Sequence, residues 1–549
     1  MRRLAGPWVV GAVALLLVML PFGRDDGGGR ATAPRLSAVS VSGAPFSTEL
    51  SDPGTPEPER AALFLPLQIE ADVKSIGADR WQSAGFTGYG RSVAVIDSGF
   101  AGYEDALGAG LPESVTVRSF RGDGDIEAGT DHGLRAAELV HGVAPNAAIY
   151  LVNFGTVAEL RAAVNYLIAE DVDVVSFSLG FIHNGPGNGT GEVDAIVGRA
   201  VSSGIAWSVA SGNWAEQHWG GLFRDTDGDS VHEFAPGKPL NGRTYLAGDL
   251  VTASLRWSGV WGGACDDYDL ELFGPDGSLV GASRDIQDCD GDPVESVQVL
   301  ATKSGRYSAR VIEARADAPR ELSLLLLGSP DRGERLEVST AAGSLAEPAD
   351  HARVLSVGAV NSLGGVASYS SRGPTTDGRV KPDVLAPIGS GTTLGQAFAG
   401  TSAAAPHAAG MLALLGEAFP NDGAVALMSR MRTRAVASTS GGTPTASLSS
   451  LVGLGELLPV GADEARLLGL VPPLGGVAAF QYRGPDGYPL RFSHLLTGLV
   501  QADAFFRYDD AQERWQVHVV GAPSFVQDFR RLNDEDIVIA KFPTVIGGE

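Results

Sequence analysis

Five stretches of this chain are apolar on both faces, and helical stretches separate them. They are Val93-Ala94-Val95-Ile96, Ala148 to Val152, Val172 to Ser178, Ile205 to Val209 and Val354 to Ala359. A strand without polar alternation has to be covered on both sides, which is the condition of a parallel sheet between helices. Leu160–Ala169 and Glu192–Ser203 read as the covering helices. The rhythm predicts βαβ units and an α/β domain. Polar residues cluster where the strands end, at Asp97, Ser178 and Asn213. In open α/β folds that rim is where ligands bind.

The rhythm stops after Asn213 and resumes near Val354. Between them lie short alternating segments with turn signals, such as Asp269-Leu270-Glu271-Leu272-Phe273 followed by Gly274-Pro275-Asp276-Gly277. These predict an all-β sandwich inserted within the α/β domain. Cys265 and Cys289 both fall inside it, and they are the only cysteines in the chain. In an exported protein, two nearby cysteines are most simply one disulfide.

The 549 residues suggest two to four domains. The expected division is a signal peptide or anchor over 1–25, a linker or short pro-segment over 26–67, and an α/β domain over 68–235 and 336–460. The inserted sandwich is placed at 236–335 and a small C-terminal β domain at 466–549. Arg2 and Arg3 ahead of the apolar run Trp8–Leu20 give the N-terminus its targeting character. The segment implies a secreted protein, with no membrane association unless it is retained. A formal charge of −24 argues against nucleic acid as a partner, since phosphate binding needs basic patches.

Gly400-Thr401-Ser402-Ala403-Ala404-Ala405-Pro406 places a serine among small residues where a helix begins. A lone serine there is ordinarily a helix cap. It also has backbone N–H groups and a partial positive charge beside it, as an oxyanion requires. Asp97 by itself is as readily a strand-end capping residue. His132, one of nine histidines, opens a helical stretch at His132-Gly133.

Together these motifs resemble the subtilases. The matching residues are Val93–Gly99, His132-Gly133 with Gly142-Val143-Ala144-Pro145, Ser178-Leu179-Gly180, Ala210-Ser211-Gly212-Asn213 and Gly400–Pro406. They follow the family's order of Asp, His, then Ser. The resemblance implies a subtilisin-like fold and serine endopeptidase activity on polypeptides. It implies Ser402 as nucleophile, His132 as general base, Asp97 as the residue that orients the base, and Asn213 as oxyanion donor. Ser178, Leu179, Gly180, Ala210, Ser211 and Gly212 would bind substrate. A catalytically weak or silent subtilase-like binding protein is the alternative, and a non-peptidase acyl hydrolase a third reading that the motif order disfavours.

After His132 the chain departs from the family pattern with Arg135 and Glu138. Glu138 is expected to be a solvated helix residue, or else a partner behind the base. Trp207 and Trp214 lie near the substrate strands and would shape pocket depth or pack in the core. The insert resembles pre-peptidase C-terminal β-sandwich modules. Asp225, Asp227, Asp229 and Glu233 form an oxygen-rich stretch that suits Ca²⁺, although Pro236 stands where an EF-hand loop has its twelfth-position Glu.

Overall fold

The computed structural model describes residues 72–434, apart from 84, 329–334, 361–364, 389 and 392–396, together with Val18–Met19 and several strands between 456 and 541. The expected targeting segment apart from Val18–Met19, the linker and most of 466–549 lie outside the described residues.

Seven strands form the central sheet. In chain order they are β1 (Ser92–Asp97), β2 (Thr116–Ser119), β3 (Ala148–Asn153), β4 (Val174–Phe177), β5 (Ala206–Ala210), β6 (Leu355–Val360) and β7 (Val384–Pro387). They lie in the order β7-β6-β5-β4-β1-β3-β2, every pair parallel. β4, β5 and β6 are buried along their whole length, as apolar strands covered on both faces must be.

Helices α1 (His132–Val143), α2 (Val157–Ala169), α3 (Glu192–Ser202) and α4 (Thr401–Ala418) accompany the sheet. α2 starts earlier than the apolar pattern predicts, because the Thr156 side chain accepts from Glu159 N at 3.2 Å and caps the extra turn. α4 is buried at every residue except Glu417. A helix apolar all round belongs in the middle of a large core.

Two four-stranded antiparallel sheets make up the insert. One contains His218–Leu222, Leu250–Trp257, Val294–Leu300 and Glu321–Leu327; the other contains Asn241–Tyr245, Asp267–Phe273, Leu279–Ser283 and Gly305–Arg315. Their facing apolar residues, among them Leu255, Trp257, Tyr268, Leu270, Leu272, Val311 and Leu324, form a separate core. The strand His218–Leu222 joins this sandwich well before residue 236, pairing with Glu321–Leu327. Cys265 and Cys289 are disulfide-bonded. A further antiparallel sheet contains Glu456–Pro459, Val477–Arg483, Ala504–Asp509, Arg514–Val519 and Ile537–Lys541. No helix among the described residues is long and apolar enough to cross a membrane.

Candidate active site

β1 ends at Asp97, and its carboxylate is fully committed. Oδ1 accepts from Ser98 N at 2.7 Å and Ser98 Oγ at 3.2 Å, while Oδ2 lies 2.8 Å from His132 Nδ1. A carboxylate without a proton can only accept, so Nδ1 carries a hydrogen, and in the neutral ring Nε2 is left as the acceptor. Nε2 is buried and has no hydrogen-bond partner among the described residues. The Phe398 ring stands edge-on to the imidazole, centroids 5.1 Å apart.

His132 reaches Asp97 because the next residue has no side chain. A Cβ on Gly133 would fall 2.7 Å from Asp97 Cβ, 2.7 Å from Gly99 O and 2.6 Å from the Phe100 ring. Glycine therefore lets the first turn of α1 press against the end of β1. Gly133 N also donates to Gly99 O at 3.0 Å, and His132 N to Thr130 Oγ1 at 3.1 Å.

Ser402 sits in the first turn of α4, after Gly400 with φ of 97°. That left-handed conformation favours glycine. Pro406 lies four residues on and has no N–H to give the Ser402 carbonyl. The Ser178 hydroxyl supplies the missing bond, Oγ donating to Ser402 O at 2.9 Å. In return Ser402 Oγ donates to Ser178 O at 3.4 Å. The structure does not join Ser402 Oγ to His132 Nε2 by a hydrogen bond. Such bonds are often long without substrate and tighten in the reacting complex.

Asn213 follows β5, and its Oδ1 accepts from both Thr401 N and Thr401 Oγ1 at 3.0 Å. The N–H of Thr401 can only donate, which fixes the carbonyl side of the amide and leaves Nδ2 as the donor. Nδ2 lies 2.9 Å from where a Gly400 Cβ would be. Thr401 Oγ1 accepts in turn from Gly212 N at 3.2 Å. The rim thus gathers a hydroxyl at a helix N-terminus, an imidazole with an open Nε2 and an oriented amide donor. These are the parts of nucleophilic acyl transfer.

Ser178, Leu179 and Gly180 leave β4 beside Ser402, while Ala210, Ser211 and Gly212 leave β5 beside Asn213. Gly180–Phe181 takes a parallel two-residue strand from Val18–Met19, so this edge accepts an added strand. Thr401 and Phe398 were not singled out from the sequence. Thr401 lies within the serine motif and was legible there, whereas Phe398 carries no local signal.

Glu138 corrects one expectation, since it is fully buried and not solvated. α1 packs against α4 on one side and the sheet on the other, and has no solvent face in its first two turns. Arg135 is also buried, paired with Asp131 one turn back. Trp207 lies in the core within β5. His407, one turn beyond Ser402, is buried and its pKa falls to about 4, so it is neutral.

Of the four oxygen-bearing residues expected at one cation, the structure brings three together. Carboxylate oxygens of Asp225, Asp227 and Asp229 lie within 4.8 Å of one another. Glu233 is held elsewhere, accepting from Thr226 Oγ1 at 2.7 Å. Backbone N–H groups, first that of Gly228, hold the Asp225 carboxyl below the usual range.

The model of the subtilase family matches residues 88–235 and 333–455. The minor extracellular protease Vpr of Bacillus subtilis (strain 168) is 26% identical over 412 residues, covering 64% of this chain and 49% of that protein. Subtilisin E of the same organism is 33% identical over 169 residues, covering 29% of this chain and 43% of subtilisin E. The chain thus spans about half the length of the curated relatives it matches. The Clostridium perfringens CspB protease superposes with a TM-score of 0.50 at 18% identity, over 68% of this chain and 93% of that one. That likeness bears on fold alone.

Proposed function

We propose that this chain, whose segments 88–235 and 333–455 form a domain of the subtilase family, is a serine endopeptidase that cleaves polypeptides through an acyl-enzyme on Ser402. One observation carries the reading. The Asp97–His132 pair, 2.8 Å apart, leaves an open Nε2 on the rim that also holds Ser402 and the oriented amide of Asn213.

In this mechanism His132 Nε2 takes the Ser402 proton as Oγ attacks the scissile carbonyl. Asp97 keeps the imidazole in the required tautomer and stabilises the imidazolium. Asn213 Nδ2 and the Ser402 N–H hold the oxyanion. Losing such a side-chain donor costs about 10²–10³ in turnover, the range known from subtilisin itself. His132 then hands its proton to the leaving amine, and water attacks the acyl-enzyme by the same route. Substrate would bind Ser178–Gly180 as an added strand.

The apolar N-terminal run supports secretion as part of this reading. The Asp225–Asp227–Asp229 loop offers hard oxygen ligands of the kind Ca²⁺ takes. A silent binding protein is the second reading, and the Ser402 hydroxyl turned towards Ser178 O favours it. Turnover of denatured casein by the wild type and by Ser402→Ala decides between them. The endopeptidase reading expects activity that the substitution abolishes; equal turnover, or none in either protein, would contradict it.

A further inference from the structure

An acyl-enzyme on Ser402 fixes where the substrate side chain before the scissile bond must go. In the endopeptidase reading, the carbonyl is held by Ser402 N–H and Asn213 Nδ2, and that side chain would enter between Ser178–Gly180 and Ala210–Gly212, the segments at the ends of β4 and β5. The floor between these walls is already filled. A methyl on Gly180 would lie 2.7 Å from Ala346 Cβ and 3.4 Å from Trp214 Cη2. A methyl on Gly212 would lie 3.0 Å from the same Ala346 Cβ. Carbon atoms in contact stand about 3.5–4.0 Å apart. The Ala346 methyl therefore lies between the walls at this depth, with the Trp214 ring beside Gly180 and Ser371 Oγ 2.9 Å from where a Gly212 methyl would be.

The floor is also braced. Ala346 N donates to Ser211 O at 2.9 Å on one side. On the other, Phe181 N donates to Glu347 O at 2.8 Å and Glu347 N to Phe181 O at 3.2 Å. Residues 346–347 cannot swing aside without breaking bonds to both walls. Behind them, Trp214 and Ala346 share an apolar cluster with Ile182, Leu325 and Leu327. The last two come from the inserted sandwich, on strand Glu321–Leu327. Arg256, also from the sandwich, donates from Nη1 to Gly185 O and to Glu347 Oε1, both at 2.9 Å. His183, two residues after Phe181, meets Ser254 Oγ at 2.9 Å and Ser323 Oγ at 3.1 Å.

We propose that Ala346 and Trp214, held in place by the inserted sandwich, limit this enzyme to substrates with a small residue (glycine, alanine or serine) on the acyl side of the cleaved bond. The proposal rests on the endopeptidase reading and adds its substrate class. It also gives the insertion a part in specificity: the sandwich backs the substrate slot.

The test is a series of internally quenched peptides identical except at the residue before the cleaved bond, with Gly, Ala, Ser, Leu, Phe, Arg or Glu there. The purified full chain should give kcat/KM for Ala at least about tenfold above Leu and Phe, the scale at which pockets discriminate added methylenes. Ala346→Gly removes the methyl from the floor and should raise the Phe-to-Ala ratio of kcat/KM by about tenfold. Leu325→Ala, made in the sandwich, should raise that ratio in the same direction. A gain towards large residues cannot come from misfolding. Wild-type cleavage after Phe or Leu as fast as after Ala, or an unchanged ratio in Ala346→Gly, would overturn the proposal while leaving the endopeptidase reading intact. An unchanged ratio in Leu325→Ala alone would overturn the part given to the sandwich. Failure to cleave any peptide, in a protein equally inert towards casein, would overturn both.

Discussion

The hydroxyl of Ser178 donates to the carbonyl of Ser402 at 2.9 Å, in the place that Pro406 leaves without a helical donor. The substrate strand and the helix carrying the nucleophile are thereby one hydrogen-bonded unit. Ser178→Ala orphans a buried carbonyl and should destabilise the fold by about 1–3 kcal/mol. Thermal unfolding of the variant should show the loss, together with a fall in kcat/KM; an unchanged melting temperature would show that the bond is replaced.

Asp97→Asn keeps the size of the side chain and presents an N–H donor where His132 needs an acceptor. The imidazole should turn to its other tautomer and close Nε2 to the serine proton. A fall in kcat of about 10⁴ is expected, with the far-ultraviolet circular dichroism unchanged. Steady-state kinetics on the fastest peptide of the series checks it.

Gly133→Ala should be destabilising although alanine is the better helix former. Its methyl would meet the Phe100 ring at 2.6 Å and Asp97 Cβ and Gly99 O at 2.7 Å, and the last two belong to a strand and a backbone that cannot give. Overpacking of this kind costs about 1–3 kcal/mol. Denaturant unfolding should show a lower midpoint at constant slope.

His218 links the sandwich to the segment leading back into the α/β domain, with Nδ1 2.8 Å from Thr340 O and Nε2 3.0 Å from Ser323 Oγ. Burial, aided by the nearby Arg256, drops its pKa to about 4 from 6.5, against the opposing pull of the Thr340 carbonyl. The folded value lies below the unfolded one, so the unfolded chain binds the proton first. His218 therefore contributes stability above pH 6.5 that is lost as pH falls towards 4. Other buried histidines and carboxyls titrate in the same window, so the readable quantity is a difference. His218→Gln should be less stable than wild type at pH 7.5, and the gap should narrow by up to about 3 kcal/mol by pH 4.5. A gap independent of pH would contradict the shift.

Much of this was legible because the signals are local. Val93–Ile96 has no polar alternation, and it became an inner strand of a parallel sheet. Ser402 announced itself through the small residues that let α4 be buried on all sides. Glu138 was misread because a charged residue on a helix is ordinarily solvated, and nothing nearby in sequence says that α1 is covered on both sides. The strand His218–Leu222 was missed because His-Trp-Gly-Gly-Leu has no alternation, and its partner lies a hundred residues away at Glu321–Leu327. Trp214 was flagged as a residue that could set pocket depth. Ala346 was not, since an alanine carries no pattern and its place between Gly180 and Gly212 exists only in three dimensions.

The most direct test of the central claim is the site of covalent labelling by a fluorophosphonate probe, read by mass spectrometry of the digested protein. The account predicts one adduct, on Ser402, absent in Ser402→Ala and slowed by orders of magnitude in His132→Ala. An adduct on any other residue, or equal labelling of wild type and Ser402→Ala, would contradict it.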